Sequence, residues 1–188
     1  MRIVSGSARG RRLKAPRNQH TRPMADKIKE ALFSSLDSFG IAPERVLDLY
    51  AGSGGVGIEA LSRGAEWCDF VDRDREACRA VRENLAATGF EGAARVHQMA
   101  VRQYLAGVAT PYDFIIIDPP YADEDIVETL ELIQASRAAE RDTVVVMGHW
   151  PRLTVPDEIG RLVKLRERCH GDSCFSIFEM DADEEVAL

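Results

Sequence analysis

The chain alternates short apolar runs with longer amphipathic stretches, and the alternation repeats over most of its length. Arg45–Tyr50 (RVLDLY) reads as a first core strand, Trp67–Val71 as a second and Ala94–Gln98 as a third. Tyr112–Asp118 reads as a fourth strand and Thr143–Gly148 as a fifth. Between them lie helical segments at Ile58–Arg63, closed by Gly64, and at Arg75–Ala87, ended by Gly89. A short helix near Arg102 and a longer one over Ile126–Arg137 complete the series. Ahead of the first strand, Met24–Leu36 carries Ile28, Leu32, Phe33 and Leu36 at helical spacing. Buried strands alternating with helices predict a doubly wound, mostly parallel sheet of the α/β class. After Pro151 and Pro156 the style changes. Leu162–Cys169 and Cys174–Met180, joined by HGDS, read as a hairpin that adds an antiparallel strand and brings the sheet to seven.

The ends differ from this body. Val4–Lys14 holds the turn SGSARGRR between short apolar stretches and predicts a small hairpin. Residues 16–23 (PRNQHTRP) read as a loop, and the acidic tail DADEEVAL as frayed. The expected organisation is an N-terminal hairpin and helix extension over 1–40, followed by one main domain over 41–188.

Composition narrows the class without naming a chemistry. The chain has 188 residues, 45% hydrophobic and 29% charged, the balance of an ordinary globular protein with a full core. No run approaches the roughly 18 to 20 apolar residues of a membrane span. The start, MRIVSGSARGRR, has basic residues but no apolar region of a signal peptide. Cys68, Cys78, Cys169 and Cys174 form no CxxC pair, so reduced thiols, a cytoplasmic setting and no membrane are expected. A chain of this length needs no second copy to complete a core, and a monomer is expected.

Charge changes the picture more. The net charge is −7, yet residues 1–30 hold nine basic and two acidic residues, a local +7 against −14 for the rest. Such an arm suits phosphates, with Arg9, Arg11, Arg12, Lys14, Arg22 and Lys27 as candidate nucleic-acid contacts. The competing reading is a solvated basic tail.

The loop after the first strand, AGSGGVG, matches G-x-G-x-x-G between a strand and a helix. Asp72 stands 20 residues past Gly52, at the end of the second strand, where a carboxylate can accept two hydrogen bonds from a ribose diol. Glycines let backbone approach a ligand closely. A dinucleotide would fit this fingerprint, but its pyrophosphate prefers bare N–H groups. Asp48 stands in the strand just below the loop, and its charge suits the ammonium and sulfonium of S-adenosylmethionine (AdoMet) instead. Asp48 can equally bond loop N–H groups, and the two readings are compatible.

The fourth strand ends in IIIDPPY, residues 115–121. Proline lacks the N–H that a strand ladder needs, so the strand stops at Asp118. Ligands of doubly wound sheets bind outside the carboxyl ends of the strands, where strand order reverses between the first and fourth. Asp118 can there accept one N–H of an exocyclic base amine and the carbonyl of Pro119 the other. Pro119 and Pro120 stiffen the loop, and Tyr121 can stack on a flipped-out or single-stranded base. Alone, Asp-Pro-Pro is also a plain strand-ending turn.

Taken together, SGSARGRRLKAP, TRPMADKIKEALFSSL, VLDLYAGSGGVGIEALSRGA and IIIDPPY resemble the bacterial 16S ribosomal RNA guanine-N2 methyltransferase family, the RsmD type. The resemblance covers most of residues 1–121. It implies the Rossmann-like class I methyltransferase fold, AdoMet as cofactor and the exocyclic amine of a guanine in small-subunit rRNA, or in an assembling 30S subunit, as substrate. It carries Asp48, Gly52 and Gly54 to the methionine end of AdoMet and Asp72 to its ribose, with Ala51, Ser53 and Arg73 as further candidate cofactor contacts. Asp118, Pro119 and Tyr121 go to the guanine, with Pro120 a further candidate catalytic residue, and Arg22-Pro23 match the family's R-P. Met24 stands where the family has threonine. Met99 or Ala100 stands where an acid often meets the adenine, so backbone and apolar contact are expected there.

Lesser candidates are the three metal-type side chains of Cys169-His170-x3-Cys174, which lack a fourth ligand and read as core residues, so no metal is expected. His149-Trp150 can edge the pocket or pack, and His20 can touch RNA or nothing. Alternative functions are methylation of adenine or DNA, a non-catalytic RNA-binding assembly factor and, least favoured, an NAD(P) oxidoreductase, for which no hydride-site Tyr-x-x-x-Lys is present.

Overall fold

The computed structural model describes residues 1–16, 24, 26–119 and 126–181. In chain order the elements are α1 (Asp26–Phe39), β1 (Arg45–Leu49), α2 (Gly55–Arg63), β2 (Trp67–Asp72) and α3 (Arg75–Thr88). A 3-10 turn (Glu91–Ala93), β3 (Ala94–Gln98), α4 (Val101–Gly107), β4 (Phe114–Ile117), α5 (Ile126–Ala135) and β5 (Val144–His149) follow. β6 (Glu158–Ile159), β7 (Leu162–His170) and β8 (Ser173–Met180) close the chain.

The sheet has the order β3-β2-β1-β4-β5-β8-β7-β6 and eight strands rather than the expected seven. The additional strand is the two-residue β6, which pairs Ile159 with Leu162. No hydrophobic period announces so short a segment. β1 to β5 are mutually parallel, and β8 enters antiparallel between β5 and β7. The order reverses between β1 and β4, which pair directly.

Strand parity divides the core. Val46, Phe70, Phe114, Ile116, Val146 and Ile177 face one layer, with Leu32 of α1 and Ile58 of α2. Leu47, Val71, Ile115, Ile117 and Met147 face the other, with Leu105 of α4 and Leu130 of α5. Both faces are apolar because helices cover both, as a parallel sheet requires.

The N-terminal segment belongs to the first layer. Ile3, Ala8 and Leu13 are buried in the same cluster as α1 and α2. An antiparallel bridge joins Arg2 to Arg12, with Ile3 N–H donating to Arg11 C=O at 2.9 Å. Lys29 of α1 and Glu59 of α2 meet at 3.0 Å with both side chains fully buried. Lys29, counted with the basic arm by sequence, therefore adds nothing to a charged surface.

The hairpin corrects one expectation. Cys169 and Cys174 are register partners across β7 and β8, with Cα atoms 4.0 Å apart, and form a disulfide. They are thus neither reduced thiols nor metal ligands, whereas Cys68 and Cys78 are free and buried. Among the described residues no helix is long and apolar enough to cross a membrane.

Candidate active site

The loop between β1 and α2 reverses the chain within a few residues. Tyr50, Gly52 and Gly54 all have positive φ (58°, 56° and 75°). Glycine accepts this freely, but a tyrosine there costs about 1–3 kcal/mol and persists only when its surroundings hold it. Two bonds do so: Tyr50 Oη lies 3.0 Å from Thr129 Oγ1 of α5, and the next N–H, of Ala51, donates to Val71 C=O at 3.2 Å. The apolar run predicts Tyr50 only as the end of a strand, because its positive φ depends on these tertiary bonds. Gly54 N–H closes the loop onto Ala51 C=O at 2.7 Å, so α2 starts at Gly55, three residues before the expected start.

Three carboxylates stand at the ends of neighbouring strands. Asp48, Asp72 and Asp118 share the parity of Phe70 and Ile116, which puts them on the α2 face of the sheet. Asp48 is 2% exposed and accepts Gly57 N–H at 2.9 Å. A Cβ on Gly57 would stand 2.8 Å from Asp48 Oδ2, so only glycine lets the helix approach the strand there. Asp72 accepts Gly52 N–H at 2.9 Å through Oδ2 and Asp74 N–H at 2.8 Å through Oδ1. It therefore braces the glycine loop and keeps lone pairs on both oxygens for a further donor.

Burial dominates the electrostatics. It raises the Asp48 carboxyl well above its ordinary range, opposed by the Gly57 N–H and reinforced by repulsion from Asp118 and Asp72. Burial also raises Asp72, against the stabilising N–H groups of Asp74 and Gly52. Asp118 is pushed up to about 7, again by burial. The Asp118 residue keeps some surface, but its carboxyl group is tucked over Gly148 of β5, where a Cβ would overlap Asp118 Oδ1. The three acids stand at adjacent strand ends, and burial raises all of them, with Asp48 also repelled by the other two.

The remaining predicted residues lie at several places. Ala51, Ser53 and Gly54 lie in the loop itself. Met99 follows β3 and donates its N–H to Asp72 C=O at 3.1 Å, and Ala100 caps α4 beside it. Arg73 is exposed next to Asp72. Arg9, Arg11, Arg12, Lys14 and Lys27 are exposed on the arm and α1, with Lys14 Nζ 2.9 Å from Glu83. Pro119 follows Asp118 and is half-buried. Pro120, Tyr121, Arg22, Pro23 and His20 lie outside the described residues.

His149 faces inward, its Nε2 3.0 Å from Ser176 Oγ, and burial lowers its pKa. It is a packed residue of β5 and β8 rather than an open edge. Gly148 and Asn84 are the two residues that sequence reading missed with a signal available. A glycine inside a β run (VVVMGH) marks a close approach, and an asparagine on the apolar face of a helix marks a specific partner.

Residues 1–179 match the family described as Conserved hypothetical protein 95. The chain is 38% identical over 182 residues to "Putative rRNA methyltransferase YlbH" of Bacillus subtilis, covering 95% of this chain and 98% of that one. It is 30% identical over 185 residues to "Ribosomal RNA small subunit methyltransferase D" of Escherichia coli K12, covering 98% and 92%. The solved structure "Putative methyltransferase yhhF from Escherichia coli" superposes with a TM-score of 0.82 at 30% identity, over 97% of this chain and 99% of that one. A match over nearly the whole chain, on a sheet with the strand order and tip carboxylates described above, makes this protein a member of the Conserved hypothetical protein 95 family, the RsmD-type methyltransferases of class I fold.

Proposed function

We propose that the protein transfers the methyl group of AdoMet to the exocyclic N2 amine of a guanine in 16S ribosomal RNA. The observation that carries the reading is the placement of Asp48, Asp72 and Asp118 at adjacent strand ends on one face of the sheet, where the other two repel Asp48 and a cationic donor would relieve that repulsion. The residues fit AdoMet on their own chemistry. Asp48 lies below the loop and presents negative charge to an ammonium or sulfonium. Asp72 retains acceptor capacity for a ribose diol, and the outer side of Gly52 is open, a Cβ there meeting only Tyr50 C=O at 3.9 Å. A pyrophosphate would meet three acids instead.

Bound AdoMet supplies an electrophilic methyl group. The protein's part is to orient the amine and receive its protons. Asp118 in its carboxylate form accepts one N–H, and the Pro119 carbonyl accepts the other. Both acceptors localise the nitrogen lone pair toward the methyl carbon. Transfer would form the N–C bond as the methyl–sulfur bond breaks, the sulfur leaving as a neutral thioether, and the Asp118 carboxylate would take the proton that the positive nitrogen then gives up. The exposed Arg9, Arg11, Arg12, Lys14 and Lys27 contribute phosphate contacts from residues 1–40, and the relatives' names support rRNA as the polyanion.

The test is mass spectrometry of rRNA nucleosides after incubation with protein and AdoMet. N2-methylguanosine is expected with the native protein and is lost with Asp118→Ala while AdoMet still binds. Methyl-adenosine, or full activity of the variant, overturns the reading.

A further inference from the structure

The basic arm and the glycine loop are joined by one side chain. Asn84 of α3 is 1% exposed and uses its whole amide. Its Oδ1 accepts Lys14 N–H at 2.8 Å. Its Nδ2 hydrogens go to Lys14 C=O at 3.0 Å and to Ser53 C=O at 2.9 Å. One N–H and two carbonyls as neighbours leave a single amide orientation that satisfies all three. Lys14 lies near the end of the arm, and Ser53 sits in the middle of the loop.

The arm also lies along the helix that the loop opens. Glu59 of α2 accepts Val4 N–H at 2.8 Å and Ser5 N–H at 2.9 Å. Ser62 Oγ accepts Ala8 N–H at 2.9 Å, and Ser62 C=O accepts Ser7 N–H at 2.8 Å. At Gly6 the backbones touch so closely that a Cβ would overlap Ser62 C=O. At the other end, a Cβ on Gly55 would overlap Met1 Sδ. The arm is therefore a continuous cover on loop and helix, and among the described residues Asn84 alone bonds arm and loop at once.

We infer that Asn84 is a positioning residue that couples the arm to the donor loop, so that RNA and AdoMet each tighten the other's binding. This rests on the proposed function. RNA held by the arm restrains the Lys14 backbone, and through Asn84 the Ser53 carbonyl, whose peptide plane leads into Gly54. Part of the ordering that AdoMet requires of the loop is then already met. Linkage makes the effect reciprocal.

The experiment measures the AdoMet Kd by calorimetry with and without a 16S rRNA transcript. In the native protein the transcript is expected to lower Kd by about fivefold or more, the lower range of such coupling. In Asn84→Asp, which keeps size but removes both donors, the ratio is expected to fall to about one. A merely structural role would weaken AdoMet equally with and without RNA and leave the ratio intact. An intact ratio in the variant, or no ratio in the native protein, overturns the inference. A second measurement needs no variant: AdoMet should slow amide exchange at Lys14 of the native protein about fivefold. Unchanged exchange there also overturns it. A native protein that binds AdoMet but not the transcript sinks the RNA reading instead, and the exchange measurement then decides the coupling.

Discussion

Gly148 of β5 exists as glycine because Asp118, the residue after β4, occupies the space of its side chain. The register that pairs Ile117 with Met147 sets the next two residues side by side. A methyl group at position 148 would overlap Asp118 Oδ1. Gly148→Ala should therefore displace the carboxylate without touching the glycine loop. A shift on the order of 1 Å in a positioned group costs about 100-fold in rate. The expected result is kcat down by about that factor with AdoMet affinity unchanged, read by single-turnover methylation and calorimetry.

The pH dependence follows from the same carboxyl group. Asp118 can take the amine's proton only when ionised, and its pKa is raised to about 7. kcat/KM should rise with pH and level off above about 7. Asp118→Asn should lose both most of the rate and this limb of the profile. A profile flat between pH 6 and 8 in the native enzyme would contradict the role.

Stability should move in the opposite direction. A carboxyl whose folded pKa lies above its ordinary 3.8 contributes stability below that value and loses it as pH rises through about 7. Asp118→Asn removes a charge that burial disfavours. The variant should thus melt higher than the native protein at pH 8, by roughly a few degrees, and the difference should vanish near pH 4. Differential scanning calorimetry at the two pH values checks this.

Binding a cation among the three raised carboxyls lowers their pKa values and expels protons. AdoMet should release protons near pH 7, where Asp118, pushed up to about 7, is about half protonated. Calorimetry in buffers of different ionisation enthalpy measures it. Proton uptake would mean that the donor's charge is placed elsewhere.

The Lys29–Glu59 pair predicts a purely structural loss. Glu59→Ala leaves a buried ammonium and the Val4 and Ser5 N–H groups without their acceptor. Removing one partner of a buried pair costs about 3–5 kcal/mol. Urea denaturation should show that loss, with the midpoint lowered accordingly.

Much of this site was legible in the chain. Glycines between a strand and a helix, an acid at the next strand tip and prolines after an isoleucine run are local signals, each with its own steric or hydrogen-bonding cause. The same holds for strand order up to β5, because strand–helix alternation permits few parallel topologies. β6 was not legible, being two residues long, and the Cys169–Cys174 disulfide depended on a register across β7 and β8. Tyr50 was legible only as an apolar strand residue, because its positive φ follows from bonds to α5 and β2.

By itself, then, the sequence determined the elements, the parallel sheet and the candidate acids Asp48, Asp72 and Asp118, since periodicity and turn chemistry act over a few residues. Tertiary structure alone decided that Lys29 is buried, that Gly148 makes room for Asp118 and that Asn84 holds arm and loop together. Those relationships join residues 30 to 70 positions apart, and only the packed sheet brings them within hydrogen-bond or van der Waals range.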